Sequence, residues 1–564
     1  MAADQSAPLG RQATVPALET PSALDNALAP PGAVRAIRER PPASARRAAP
    51  RQTLRSPWAD AAVLLALALL MRLPYQTNTL YHWDSVLYAR ALAHFDVSES
   101  QPHPPGYLFY VGAARLAQLA LGDANASLVA VSLLAGALAV ALTYLVGRRL
   151  YGRGTGIAAA LLLATAPPFW LYAGVAYPYT VLAAGSLALA GLALAHWRRG
   201  WPPPFWLGLA LGLAGGFRTD LVLFLAPLLA VAHLAYWRRS LRLTTLLAPI
   251  SAAALGTLAW LAPSAVLSQG WGVYWPLLWQ QGAYVEGSYS LWSHGWPAFQ
   301  SNGWQVLVYA HEGLGLALLP LAYGFAWGVS AWWRAGRPRP RWARPTSALV
   351  LALWLLPPVL FYTLVHIGDR GYSFSYLPGL CIAAAAGLRL LARDLRRLAA
   401  GHGRQFTARI LRGKPRARLL CGAMLALLLG ANLQSFLLGR SRLSAYEVDC
   451  LNRSLPQALT IVRRDFDPAD TLIFASFFYQ QARYYLPDYR VWWFDPLTRP
   501  VFRETVPEGV HRVLLWGDSL RPANQPNGSS YPLPCGRRLY YFFNVEPGAQ
   551  LVFRPPLLSV RNAP

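Results

Sequence analysis

Lysine is almost missing from this chain: Lys414 stands alone among 51 basic residues. Acidic residues are also sparse, at 25 of 564, and only 13% of the residues are charged. A soluble domain carries about a quarter charged residues, so an ordinary soluble protein is excluded. Four cysteines exclude a disulfide-built scaffold. Cys381 and Cys421 fall in apolar segments and read as packing residues. Cys450 and Cys535 fall in the hydrophilic C-terminal part and could pair if that part lies outside the cytoplasm. The net charge of +26 suggests nucleic acid at first sight. The arginines, however, occupy short loops between apolar runs, where the positive-inside rule puts them, so a nucleic-acid partner is rejected. Arg and Ala in excess over Lys point to a GC-rich bacterium.

What is present is apolar sequence: 55% hydrophobic residues, 12% aromatic, mean hydropathy +0.28. A spanning helix needs roughly 20 apolar residues. Segments 57–76, 125–147, 154–173, 178–197, 204–217, 219–237, 242–268, 304–333, 346–366, 372–392 and 416–438 meet or approach that. Basic clusters lie at RRLYGR (148–153), HWRR (196–199), WRRSLR (237–242), RAGRPRPRWAR (334–344) and between Arg389 and Arg418. With these and the basic tail 1–56 in the cytoplasm, eleven spans fit without conflict. The tail, rich in Ala, Pro and Arg, reads as disordered. The expected architecture is an α-helical polytopic membrane protein with a membrane part over 57–440. Its first outer loop is 77–124. Segment 104–121 within it reads as a helix lying along the outer membrane surface. After Leu438 the runs TLIFASFFYQQARYYL, YRVWWF, HRVLLW and RRLYYFFNV are short, aromatic and β-branched. They predict a small extracytoplasmic α/β domain over 441–564.

The first outer loop gathers the charge that the rest avoids. WDSVLYARALAHFDVSESQPHPPGYLFYV places Asp84, His94, Asp96, Glu99 and His103 close together. Beside low-dielectric lipid a carboxylate pKa is expected to rise towards the range useful for a base. Asp84 is therefore a candidate base for an acceptor hydroxyl. The plainer reading makes Asp84 the cap of the helix that follows. His103 reads either as a directed imidazole, fixed by Pro104 and Pro105, or as an interface residue bonding a carbonyl. Two outer-facing arginines, Arg218 and Arg370, are candidates for an anionic phosphate. Arg218 with Asp220, or Arg370 with Asp369, reads equally as an ion pair. The loop 269–303 holds Trp271, Trp275, Trp279, Trp292 and Trp296, with Glu286 and His294. These aromatics suit a membrane interface, sugar stacking, or a lid that does both.

WDS…ARAL…QPHPPGY resembles the first-loop signature of the lipid-phosphate-dependent membrane glycosyltransferases of the C superfamily. The likeness is strongest to the protein O-mannosyltransferase and aminoarabinose-transferase branch (family 39-like). It continues through LTYLVGRRLYGRGTGIAAALLLATAPPFWLYAGVAYPYT, LGLALGLAGGFRTD and DRGYSFSYLPGL. The resemblance implies Asp84 as catalytic base, His103 near the donor phosphate, and a basic residue, Arg370, ahead of YxLP. It also implies eleven spans and an outer C-terminal domain. Ser85 stands where the mannosyltransferases carry a second acidic residue, and HPPGYL lacks their basic residue. The second outer loop, YAGVAYPYT, lacks the carboxylates with which the superfamily's oligosaccharyltransferases hold a metal. Metal-independent chemistry without a cofactor is therefore expected.

The expected function is an inverting hexosyl- or pentosyltransferase of a bacterial inner membrane. It would move one sugar from a polyprenyl-phosphate carrier to a protein, glycan or lipid hydroxyl on the extracytoplasmic face. Asp96, Glu99, Tyr107, Asp220, Glu286, Tyr372 and Tyr376 are the candidate substrate-binding residues. The rival readings are a transporter or lipid flippase of the envelope-glycan pathway, and a scaffold built on the C-terminal domain. Transporters show repeated halves and mid-membrane polar residues; neither is evident here.

Overall fold

A computed structural model describes residues 56–334, 346–401, 414–494, 502–517, 521–522, 529–542, 544–554 and 557–561. The expected tail, the basic cluster after Arg334 and positions 402–413 of the next basic run lie outside these residues. The chain is mainly helical, and it is an integral membrane protein. Among the described residues, seven helices are long and apolar enough to cross a membrane, or eight if one bent pair counts as a span. The expected count of eleven is not reached on length and composition.

The reasons for the shortfall are local. The first helix, Pro57–Arg72, has only 16 residues; Ser56 caps it and Pro57 starts it. Arg72 closes it, fully buried, donating to the carbonyls of Ala68 and Ala164. Segment 154–173 bends by 66° between Arg153–Thr165 and Pro167–Ala173. Pro167 and Pro168 cannot donate to the preceding turn, so the helix restarts there. Pro204–Ala214 has 11 residues, too few to span alone. Segment 372–392 begins as a 3-10 turn, Arg370–Ser375, before Leu377–Gly401.

Segment 269–303, expected as a loop, is largely helical. Trp271–Tyr289 and Leu291–Leu314 cover it, with a kink at Gly295. Trp279, Trp292, Trp296 and Trp304 are exposed along it. Segment 104–121 is helical over Leu108–Leu121, with Leu116, Leu119 and Leu121 exposed.

The C-terminal part is a small α/β unit. Helix Ala445–Asp465 turns Leu451, Leu455, Ala458 and Val462 inward. Strand Thr471–Ala475, buried throughout, pairs in parallel with Arg490–Trp493 and Arg512–Trp516. Arg538–Phe542 and Ser529–Pro532 extend that sheet antiparallel. A second sheet joins Phe502–Thr505, Gln550–Arg554, Leu557–Arg561 and Arg521–Pro522. Cys450 and Cys535 form a disulfide, tying the helix to the far edge of the first sheet.

This unit sits on the first loop. The Asn452 amide donates to the Gln76 carbonyl and its oxygen accepts from the Asn78 N–H, both at 2.8 Å. The Tyr485 hydroxyl accepts from the Leu80 N–H at 3.0 Å. The chain leaving the first helix is thus held by backbone hydrogen bonds a few residues before Asp84.

Candidate active site

Asp84 lies in the first turn of helix Trp83–Ala93, but it does not cap it. His82 is the N-cap: its Nδ1 accepts from the Asp84 N–H at 3.4 Å, and the Ser85 hydroxyl accepts from the His82 N–H at 3.2 Å. That reciprocal pairing leaves the Asp84 carboxylate free, which corrects the capping reading. Ser85 is buried and donates to the Ala176 carbonyl at 2.8 Å. The residue that replaces the second acid therefore docks the helix against the 174–178 loop.

That loop supplies Tyr177. Its hydroxyl donates to Asp84 Oδ2 at 2.9 Å and lies 2.9 Å from His82 Nδ1. On the other side, His103 Nδ1 stands 3.9 Å from Asp84 Oδ1, too far for a hydrogen bond. His103 Nε2 meets the Tyr107 hydroxyl at 3.2 Å. Gly106 permits this approach: its φ is +104°, and a Cβ there would stand 2.9 Å from the Phe95 ring.

Tyr107, Tyr179 and Tyr372 surround the Arg218 guanidinium at 5.4, 5.0 and 5.4 Å. Tyr177 stacks on Tyr179 at 4.7 Å, so two aromatic paths run from Asp84 to Arg218. Arg218 is 3% exposed and donates to Asp220 at 2.6 Å, so the ion-pair reading holds. Its Nε, however, is buried with no partner. Arg218, Asp220, Tyr107, Tyr372, His366 and Val285 line a cavity of about 290 Å³. Val285 comes from the Trp-rich helix Trp271–Tyr289, which forms one wall.

The Asp84 side chain is 29% exposed. Burial pushes its pKa up, but the charges of His103 and His82, the Tyr177 hydrogen bond and Arg218 outweigh it, and the carboxyl is held below its ordinary value. The expected rise is thereby corrected: Asp84 is ionised at neutral pH. Burial lowers the His103 pKa against the pull of Asp84. Burial, then the Asp84 charge, raises the Tyr177 pKa, which keeps its proton on oxygen.

The other expected residues fall elsewhere. Arg370 is outside the cavity lining and makes a bidentate pair with Glu312 at 2.8 and 3.2 Å. Its partner is not Asp369, whose carboxylate accepts from Tyr172 and from the Arg370 N–H. Asp96 is buried and accepts from Ser98 and Gln269, pinning the first loop to the start of the Trp-rich segment. Glu99 accepts from Gln101 at 3.1 Å. Glu286 accepts from Ser290 and Ser293. Tyr376 is buried in the hydrophobic core of the helical part. Among the described residues no cluster of His, Cys, Asp or Glu could hold a metal ion.

Residues 102–265 match the family described as Dolichyl-phosphate-mannose-protein mannosyltransferase. The matched stretch carries His103, Tyr107, Arg218 and Asp220, while Asp84 lies just before it. The match spans less than a third of the chain. No curated protein matches the chain in sequence. Among solved structures it is similar to ArnT from Cupriavidus metallidurans bound to undecaprenyl phosphate, at 16% identity and TM-score 0.46, over 86% of this chain and 97% of that one. It is also similar to the oligosaccharyltransferase AglB from Archaeoglobus fulgidus in complex with an inhibitory peptide and a dolichol-phosphate. There identity is 13% and the TM-score 0.43, over 89% of this chain and 76% of that one.

Proposed function

We propose that the protein transfers a single sugar from a polyprenyl-phosphate carrier to an acceptor hydroxyl, with inversion, on the extracytoplasmic face of a bacterial inner membrane. The observation that carries this reading is the ionised carboxylate of Asp84, not used as a helix cap, which stands near His103, while His103 contacts Tyr107 and Tyr107 lies against the buried cation of Arg218. Asp84 accepts the proton of the acceptor hydroxyl. The hydroxyl oxygen bonds to the anomeric carbon as the bond from that carbon to the phosphate oxygen breaks. The polyprenyl phosphate leaves with the electron pair. A carboxylate of low pKa is a weak base, so the proton moves late, once the attacking oxygen has become acidic. Tyr177 orients Asp84 and keeps it ionised.

Developing charge on the leaving phosphate needs a buried cation. Arg218 suits this better than Arg370, because it borders the cavity and has an unpaired Nε. His103 serves as a hydrogen-bonding group through its contact with Tyr107. Tyr107 and Tyr372 wall the donor pocket, and the Trp-rich helix closes over it. A transporter needs no ionised base beside a phosphate site.

The test is Asp84→Asn, which keeps shape and hydrogen-bonding capacity. Purified protein in nanodiscs is given a radiolabelled polyprenyl-phosphate sugar and a cell-envelope extract. Transfer is expected to fall by roughly 10²–10⁴-fold, the usual contribution of a general base, with donor binding retained. Transfer at the native rate sinks the mechanism. Movement of the carrier across the bilayer without a new glycosidic bond favours a flippase.

A further inference from the structure

We infer that the acceptor is a carbohydrate, and that one of its sugar rings stacks on an aromatic face built by Trp83, Tyr479 and Trp493. The inference rests on the glycosyltransferase reading for its chemistry, though the binding itself does not require it. Trp83 is the first residue of the helix that carries Asp84, in the next position. Its ring lies 5.6 Å from Tyr479 at 31°, and 5.7 Å from Trp493 at 58°. Tyr479 and Trp493 are 6.3 Å apart at 37°. One ring thus comes from the first loop and two from the C-terminal unit, at the seam where the unit docks. Small-molecule sites favour such seams.

The cluster is not packed away as a core. Trp493 ends the strand Arg490–Trp493 at the sheet edge and is 55% exposed, with Phe477 nearby in sequence at 63%. By contrast, Phe474 and Phe494 on the same sheet are buried. The three rings are inclined, with Trp493 exposed and Trp83 and Tyr479 half-buried, and they offer a partly open π-surface to the C–H face of a pyranose. The hydroxyls of that sugar need donors, and arginine supplies them. Arg483 is exposed, lies 5.6 Å from the Tyr479 ring centre, and reaches the Tyr479 hydroxyl at 3.3 Å. Arg90, one face along the Asp84 helix, lies close enough for its charge to feel Arg483. A lipid chain gains nothing from two guanidinium groups. A sugar gains both the apolar face and the donors.

The test uses the full-length protein in nanodiscs without donor lipid. It is titrated calorimetrically with linear neutral hexasaccharides of glucose, mannose and galactose, and with a Ser- and Thr-containing hexapeptide. At least one hexasaccharide is expected to bind saturably, and the peptide not to bind. Trp493→Ala is expected to weaken sugar binding at least tenfold, and Trp493→Tyr less than threefold. Should Trp493→Ala not fold, Arg483→Gln carries the test, with a loss of at least threefold expected. Failure of all three sugars to bind overturns the inference. So does native affinity in Trp493→Ala or, in its place, Arg483→Gln, or binding of the peptide alone. The two readings fail separately: transfer at the native rate in Asp84→Asn sinks the base, whereas native hexasaccharide affinity in Trp493→Ala, read without donor lipid, sinks this inference.

Discussion

Arg218 and Asp220 form the pair on which the donor site and the fold make competing claims. Their side chains are 4% and 15% exposed and 2.6 Å apart. Arg218→Gln leaves the Asp220 carboxylate buried and uncompensated, which costs about 3–5 kcal/mol. It also removes cation–π contacts to Tyr107, Tyr179 and Tyr372. A loss of activity in that variant alone therefore proves nothing about phosphate. Adding Asp220→Asn removes the stranded charge and is expected to restore most of the thermal stability in nanodiscs. Transfer should stay depressed by about 10²–10³-fold, the size expected when one stabiliser of developing charge is lost. The assay is a single-turnover transfer measurement on both variants, beside their unfolding temperatures. If the double variant regains both stability and rate, Arg218 is a structural cation, and the leaving phosphate is stabilised elsewhere.

Tyr177→Phe removes a hydrogen bond that lowers the Asp84 pKa, so the acid limb of the transfer rate should move to higher pH. A pH–rate profile identical to the native one refutes its part in keeping Asp84 ionised. His366 lines the cavity, and burial lowers its pKa from 6.5 to about 4. Its unfolded form takes up a proton first, so stability is full above pH 6.5 and drains as pH falls towards 4. His366→Phe should flatten that part of the unfolding-temperature profile; an unchanged slope assigns it to other groups. Cys450→Ala opens the disulfide to Cys535. It should weaken the C-terminal unit by about 2–5 kcal/mol, read by limited proteolysis, and equal protease resistance contradicts this.

The sequence made some of this site readable and hid the rest for physical reasons. Asp84, His103, Tyr107, Arg218, Asp220 and Tyr372 were legible because sparse charge and a Pro-rich turn stand out in apolar sequence. The structure brings these residues into one neighbourhood. His82 as cap escaped because Asp is the stronger capping residue on statistics, and only the geometry shows which side chain turned back. Tyr177 comes from a loop that drew attention only for the carboxylates it lacks. Its signal was the pair Tyr177 and Tyr179 around Pro178, at the mouth opposite the first loop. Glu312 was overlooked in an apolar span, although a membrane carboxylate demands a cation, and Arg370 is that cation. Segment 154–173, read as one span, is bent where Pro167 and Pro168 break the helix. Segment 269–303, read as a loop, is helical over Trp271–Tyr289 despite its Gly and Pro.

The two hydrogen bonds from Asn452 have a consequence for anyone trimming this protein. They clamp the peptide at 76–78, and Tyr485 holds Leu80, just upstream of the turn that presents Asp84. The C-terminal unit works as a keystone for the chain entering the turn that carries Asp84. Expressing the membrane part alone would strip that support, so an inert fragment would say nothing about where the chemistry resides. Asn452→Ala in the intact protein is the gentler cut, since it loosens the brace and leaves every spanning helix in place.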